Sequence, residues 1–97
     1  MTYEELVTEF DKYDSIYLKF EDVKNKLSSR PDICAFILLN NLCPGTADMV
    51  CAAEHDEIFL DVSIEELAKV ITSEQVHDLV CCGVRINEYT DSLAMFA

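Results

Sequence analysis

The chain has 97 residues, 51% of them apolar, and nineteen Asp and Glu against seven Lys and Arg, a net charge of −12. That length supports one modest core without a second domain, and that apolar fraction excludes a disordered acidic tail. No apolar run approaches the roughly eighteen residues of a bilayer span, and Glu4 and Glu5 stand where a leader would carry basic and then apolar residues, so a cytoplasmic location is expected.

In chain order, Thr2 and Glu5 form a capping-box pair that starts a helix at Tyr3. Tyr3, Leu6, Phe10, Tyr13, Tyr17, Phe20, Val23 and Leu27 then recur at three- and four-residue steps without an intervening proline or glycine. This predicts one long amphipathic N-terminal helix, with Glu4 and Glu5 at its positive end and Lys24, Lys26 and Arg30 near its negative end. A competing reading breaks it at Asp14-Ser15 and makes Ile16 to Phe20 a strand. The aromatic stripe is expected to pack on the domain's own sheet; a homodimer interface is the alternative. Pro31 opens a second helix, and Ile33 to Leu42 is apolar on nearly every side, which predicts a buried helix covered on more than one face. Cys43-Pro44-Gly45 ends it. Asp48 to Ala53 and Glu57 to Asp61 read as a strand pair about a turn at Glu54 to Asp56, with Ile58 and Leu60 facing one way and Phe59 the other.

Ser63 with Glu66, and Thr72 with Gln75, give two further capping-box spacings and hence two short helices. Ile64, Leu67, Ala68 and Ile71 form the apolar face of the first, and Val76, Leu79 and Val80 that of the second, which leaves Glu74, Gln75, His77 and Asp78 facing outward. Gly83 supplies a left-handed stop. Val84 and Ile86 alternate with Arg85 and Asn87, Glu88 to Asp91 turn, and Ser92 to Phe96 return as a partner strand. The fold class is therefore α+β: a long N-terminal helix, a buried second helix, and a small antiparallel sheet made of a strand pair and a C-terminal hairpin, with two short helices between them.

The element order of residues 63–96 resembles a winged helix, which implies a helix-turn-helix that reads DNA. A major-groove helix needs outward Arg, Lys, Asn or Gln, however, and the acidic face here would be repelled by phosphate. Direct nucleic-acid contact is not expected.

Few constellations carry chemistry. His77 and Cys81 lie four apart on one helix, and with Cys82 and His55 they are the candidates for a metal protein, but paired short ligand spacings are absent. Five cysteines at irregular spacing read as reduced buried thiols, and an acidic chain cannot easily depress a thiol pKa for catalysis. The carboxylates after residue 54 do not match a calcium loop, and two glycines in all exclude a glycine-rich phosphate loop. No enzyme activity, cofactor or metal is expected. Beyond Arg30 the only basic residues are Lys69 and Arg85. A surface so acidic is suited to meet a basic protein, and Glu54, Asp56, Glu57, Asp61, Glu65, Glu66, Glu74 and Asp78 are the expected contact residues. Size, charge and the ending LVCCGVRINEYTDSLAMF resemble small acidic accessory proteins of bacteriophages and mobile elements. That resemblance implies an inhibitor of a host nucleic-acid-processing or defence complex, of the anti-CRISPR or anti-restriction kind, acting in the host cytoplasm.

Overall fold

The computed structural model describes residues 1–97 and is α+β. Helix α1 spans Tyr3–Lys12, α2 Pro31–Leu42, α3 Ile64–Val70 and α4 Ser73–Cys81. Strands β1 (Val50–Glu54), β2 (Glu57–Leu60), β3 (Arg85–Asn87) and β4 (Ser92–Phe96) form one antiparallel sheet in the order β1-β2-β4-β3.

The capping signals act as their chemistry dictates. Thr2 accepts from the Glu5 amide at 3.1 Å while the Glu5 carboxylate accepts from the Thr2 amide at 2.8 Å. The same reciprocal pair at Thr72 and Gln75, 3.2 and 3.0 Å, starts α4. At Ser63 only half the box forms, because the Glu66 carboxylate accepts from Lys69 Nζ instead. Gly83, at φ +94°, closes α4: its amide donates to the Val80 carbonyl and the Val84 amide to that of Leu79, both at 2.9 Å. His55 and Asp56 both take positive φ, the geometry of a two-residue hairpin turn between β1 and β2.

Two expectations are corrected. The long N-terminal helix does not form: α1 stops at Lys12, and the chain continues through single 3-10 turns at Asp14–Ile16 and Phe20–Asp22. The break falls at Tyr13, just before the Asp14-Ser15 of the competing reading, and no strand follows it. Tertiary hydrogen bonds explain this. The Leu18 amide donates to the Val80 carbonyl at 3.2 Å, and the Lys24 and Asn25 amides donate to the Asp78 carboxylate at 2.9 and 3.1 Å. These partners on α4 replace the helical ones. The apolar stripe still faces inward: Leu6, Phe10 and Val23 are buried, and Tyr3, Tyr13, Tyr17, Phe20 and Leu27 pack against the core.

Helix α2 is also less buried than its composition predicts. Cys34, Ala35 and Leu39 face the core, while Ile33 and Ile37 lie on the open side at 40% and 36% exposure. The helix packs mainly on α4 and has no second layer over it.

The centre of the core is α4. Val76, Leu79 and Val80 are essentially inaccessible, and Leu67, Leu60 and Leu93 meet them in one apolar cluster. Each such side chain contributes about 1.5–3 kcal/mol by leaving water.

Candidate functional site

The eight expected contact carboxylates fall into two classes. Glu54, Asp56, Asp61, Glu65, Glu66 and Glu74 are exposed. Glu57 and Asp78 are buried, at 8% and 4% exposure, and are withdrawn from any contact surface. Strand alternation places Glu57 with Phe59 on the face opposite core-packed Ile58 and Leu60, and there it is covered by its ion pair with Arg85 and by Asn87 Nδ2, which donates to it at 2.7 Å. Arg85 in turn lies over the Phe96 ring, 4.4 Å from its centroid. Asp78 is not on the outer face of α4. Its carboxylate ties down the amides of Lys24 and Asn25 and meets His77 Nδ1 at 2.9 Å.

The six exposed residues do not make one patch. Glu54 and Asp56 flank the β1–β2 turn, whereas Asp61, Glu65 and Glu66 lie at the far end of β2 and on α3. At about 3.3 Å per strand residue, the four residues of β2 hold the two groups roughly 13 Å apart. Asp61 and Glu66 share a groove with the Cys43-Pro44-Gly45 corner, and Glu54 shares one with Asn87 and Thr90. Glu74 stands apart in the first turn of α4.

The metal candidates also separate. His77 is engaged by Asp78 and packs edge-on against Tyr13 at 5.3 Å, while Cys81 is inaccessible in the core. His55 lies on the β1–β2 turn beside Glu54. No three His, Cys, Asp or Glu side chains converge. All five cysteines are free thiols. Burial pushes Cys81 up to about 11, with the carboxylates of Asp22 and Asp78 adding to it, and burial raises Cys82 and Cys43 as well. A thiol so held is protonated at neutral pH and is a poor nucleophile.

One site was not among the sequence candidates. Between α1 and β3 lies a cavity of about 180 Å³, walled by Val7, Phe10, Val80, Val84 and Ile86 and bordered by the carboxylates of Asp11, Asp14 and Glu88. It continues, through Asp11, Arg85, Ile86 and Glu88, into a wider surface hollow of about 620 Å³ beside Tyr89. Tyr89 is fully exposed at the β3–β4 turn. Behind its wall Tyr17 Oη and Arg85 Nε are buried without a hydrogen bond of standard geometry, and the Tyr17 hydroxyl lies beside the Arg85 guanidinium. Burial raises the Tyr17 hydroxyl pKa, with the Arg85 guanidinium opposing the rise. The three bordering carboxylates have no ion-pair partner; Lys12, the nearest basic residue in sequence, engages Glu9 at 3.7 Å. A signal for this site existed in the sequence. Carboxylates at Asp11 and Asp14 lie at the negative end of a helix that stops at Lys12, where the helix dipole disfavours them. Reading α1 as continuing to Leu27 concealed it.

Compared with known protein families, with curated proteins and with solved structures, the chain matches none. Residues 64–96 run in the order α3, α4, β3, β4. No helix is long and apolar enough to cross a membrane.

Proposed function

We propose that the chain is a non-enzymatic binding module that docks, through unneutralised carboxylates, on the basic surface of a nucleic-acid-handling protein complex. One observation carries this reading. Beyond Arg30 the only Lys and Arg side chains are committed internally, Arg85 to buried Glu57 and Lys69 to Glu66, so Asp56, Asp61, Glu65 and Glu74 face solvent without a basic counterpart, and Glu54 meets only the His55 ring, at 3.1 Å. The separation of the carboxylates into two groups suits an extended basic groove. Roughly 13 Å along β2 matches the span over which a duplex presents about eight phosphates, at about one charge per 1.7 Å of axis. The resemblance to small phage-encoded inhibitors points to a CRISPR effector or a restriction enzyme in the host cytoplasm as the partner. Inward packing of Tyr3, Tyr13, Tyr17 and Phe20 leaves a homodimer through the aromatic stripe without support.

The test is capture of the partner from nuclease-treated host lysate at about 50 mM and about 500 mM salt, followed by competition against a labelled duplex. Capture should occur at the lower salt only, reversal of Glu65 and Glu66 to Lys should abolish it, and the captured protein should lose its duplex when this chain is added. A captured protein that holds the duplex and this chain together, or capture insensitive to salt, overturns the reading.

A further inference from the structure

We propose that the cleft between α1 and β3 receives a lysine or arginine side chain of the partner protein, an anchor for the docking described above and dependent on that reading. The cleft has the three features such a guest needs. Its wall is apolar, formed by Val7, Phe10, Val80 and Val84, and fits the aliphatic stem of a long basic side chain. Its border carries Asp11, Asp14 and Glu88, none of them in an ion pair, and these take the cationic head. The one cation lining it, Arg85, is neutralised by Glu57, so the local balance remains negative.

Charge narrows the guest further: a free anion would meet three carboxylates, whereas a basic side chain matches both the acidic border and the apolar wall. The volume of about 180 Å³ equals about six waters at ~30 Å³ each, room for one side chain and too little for a folded element. β3 is an edge strand of the sheet, so an extended segment can lie along it and into the adjoining hollow beside Tyr89.

The test uses the full chain and, as probe, a short blocked peptide alternating lysine with alanine, followed by titration calorimetry at low salt. The triple variant Asp11→Asn, Asp14→Asn, Glu88→Gln should weaken binding by about tenfold or more, about 1.4 kcal/mol. A control with the same change of net charge at exposed carboxylates outside both the cleft and the docking set, Glu21→Gln, Asp32→Asn, Asp48→Asn, should lose no more than about threefold, the scale of exposed charge pairs. Val7→Phe, which fills the cavity without altering charge, should also weaken binding. Equal losses in the two triple variants would refute the cleft and leave the acidic-surface reading standing. Wild-type affinity in a folded Val7→Phe chain would refute entry into the cavity; should that variant unfold, the two triple variants decide alone. A wild-type chain that does not bind the peptide refutes both readings.

Discussion

Replacement of Asp78 by alanine should be among the most destabilising single changes available to a surface-type residue of this chain. The carboxylate is 4% exposed and accepts from the Lys24 amide at 2.9 Å, the Asn25 amide at 3.1 Å and the neighbouring His77 ring at 2.9 Å. Hydrogen bonds to a charged group contribute about 1.5–3 kcal/mol each, and an orphaned buried donor costs about 1–3 kcal/mol. Lys24 and Asn25 are exposed, so their amides can rehydrate in part, and loss of the carboxylate relieves its own desolvation. Counting only the two backbone donors, at the lower end of about 1.5 kcal/mol each, therefore gives a total of about 3 kcal/mol. In a domain of this size, 1 kcal/mol corresponds to about 4–8 °C in Tm, so Tm should fall by about 12–24 °C. Asp78→Asn, which keeps one acceptor, should cost about half as much, while exposed Glu74→Ala should stay within about 0.5 kcal/mol of wild type. Urea denaturation followed by circular dichroism measures all three, and hydrogen exchange should show Lys24 and Asn25 losing protection first. An Asp78→Ala chain as stable as Glu74→Ala would refute the account, and Asp78 would return to the outer face of α4.

Arg85→Met should cost about 2–3 kcal/mol, at or below the low end for breaking a buried pair because the Arg85 side chain is 29% exposed. Adding Glu57→Gln should recover most of that, and a double-mutant cycle in urea reads the coupling. Gly83→Ala should cost about 1–3 kcal/mol, since φ is +94° and a Cβ would lie 2.5 Å from Leu18 Cδ2; Leu18→Ala beneath it removes the clash but not the backbone strain, so only partial recovery is expected in the same assay. Iodoacetamide near neutral pH should label exposed Cys51 and spare Cys34, Cys81 and Cys82 until urea unfolds the chain. Because the folded Cys81 pKa is raised from 9.0 to about 11 and Cys82 shifts the same way, their contribution is complete below pH 9 and is lost as pH rises through 9 to 11. The urea midpoint should therefore fall more steeply from pH 9 to 10.5 in wild type than in a Cys81→Ala, Cys82→Ala chain.

Local chemistry was legible wherever it was self-sufficient. Thr2 with Glu5, Thr72 with Gln75, and Gly83 each hold their hydrogen-bond partners within a few residues, so spacing alone locates the helix ends. The hairpin Arg85–Asn87 and Ser92–Phe96 was legible for the same reason. The failures all involve partners distant in sequence. The stripe from Tyr13 to Leu27 has helical periodicity and still turns irregular, because Asp78 and the Val80 carbonyl, more than fifty residues on, take its amides. Composition made α2 look buried, yet covering Ile33 and Ile37 requires a neighbouring element that the chain does not supply. Asp78 reads as outward by helical phase, because phase cannot reveal that a loop from the N-terminal region closes over it.

These distant contacts also determine which carboxylates can act on a partner. Glu57 and Asp78 are structural: each satisfies internal donors and is lost to binding. Asp11, Asp14 and Glu88 are the reverse case. They satisfy no internal cation, and Asp11 and Asp14 stand at the end of α1 where the dipole penalises a negative charge by about 0.3–1 kcal/mol each. Folding gains no ion pair from carboxylates in those places, beside a cavity that is otherwise apolar-walled. A cation arriving from outside reverses the sign of both terms: it meets the three charges and offsets the dipole penalty. The stability that α1 forgoes at its end is recovered only in a complex, which is why that cleft, more than the larger but dispersed acidity of Glu54 to Glu74, is where docking should be anchored.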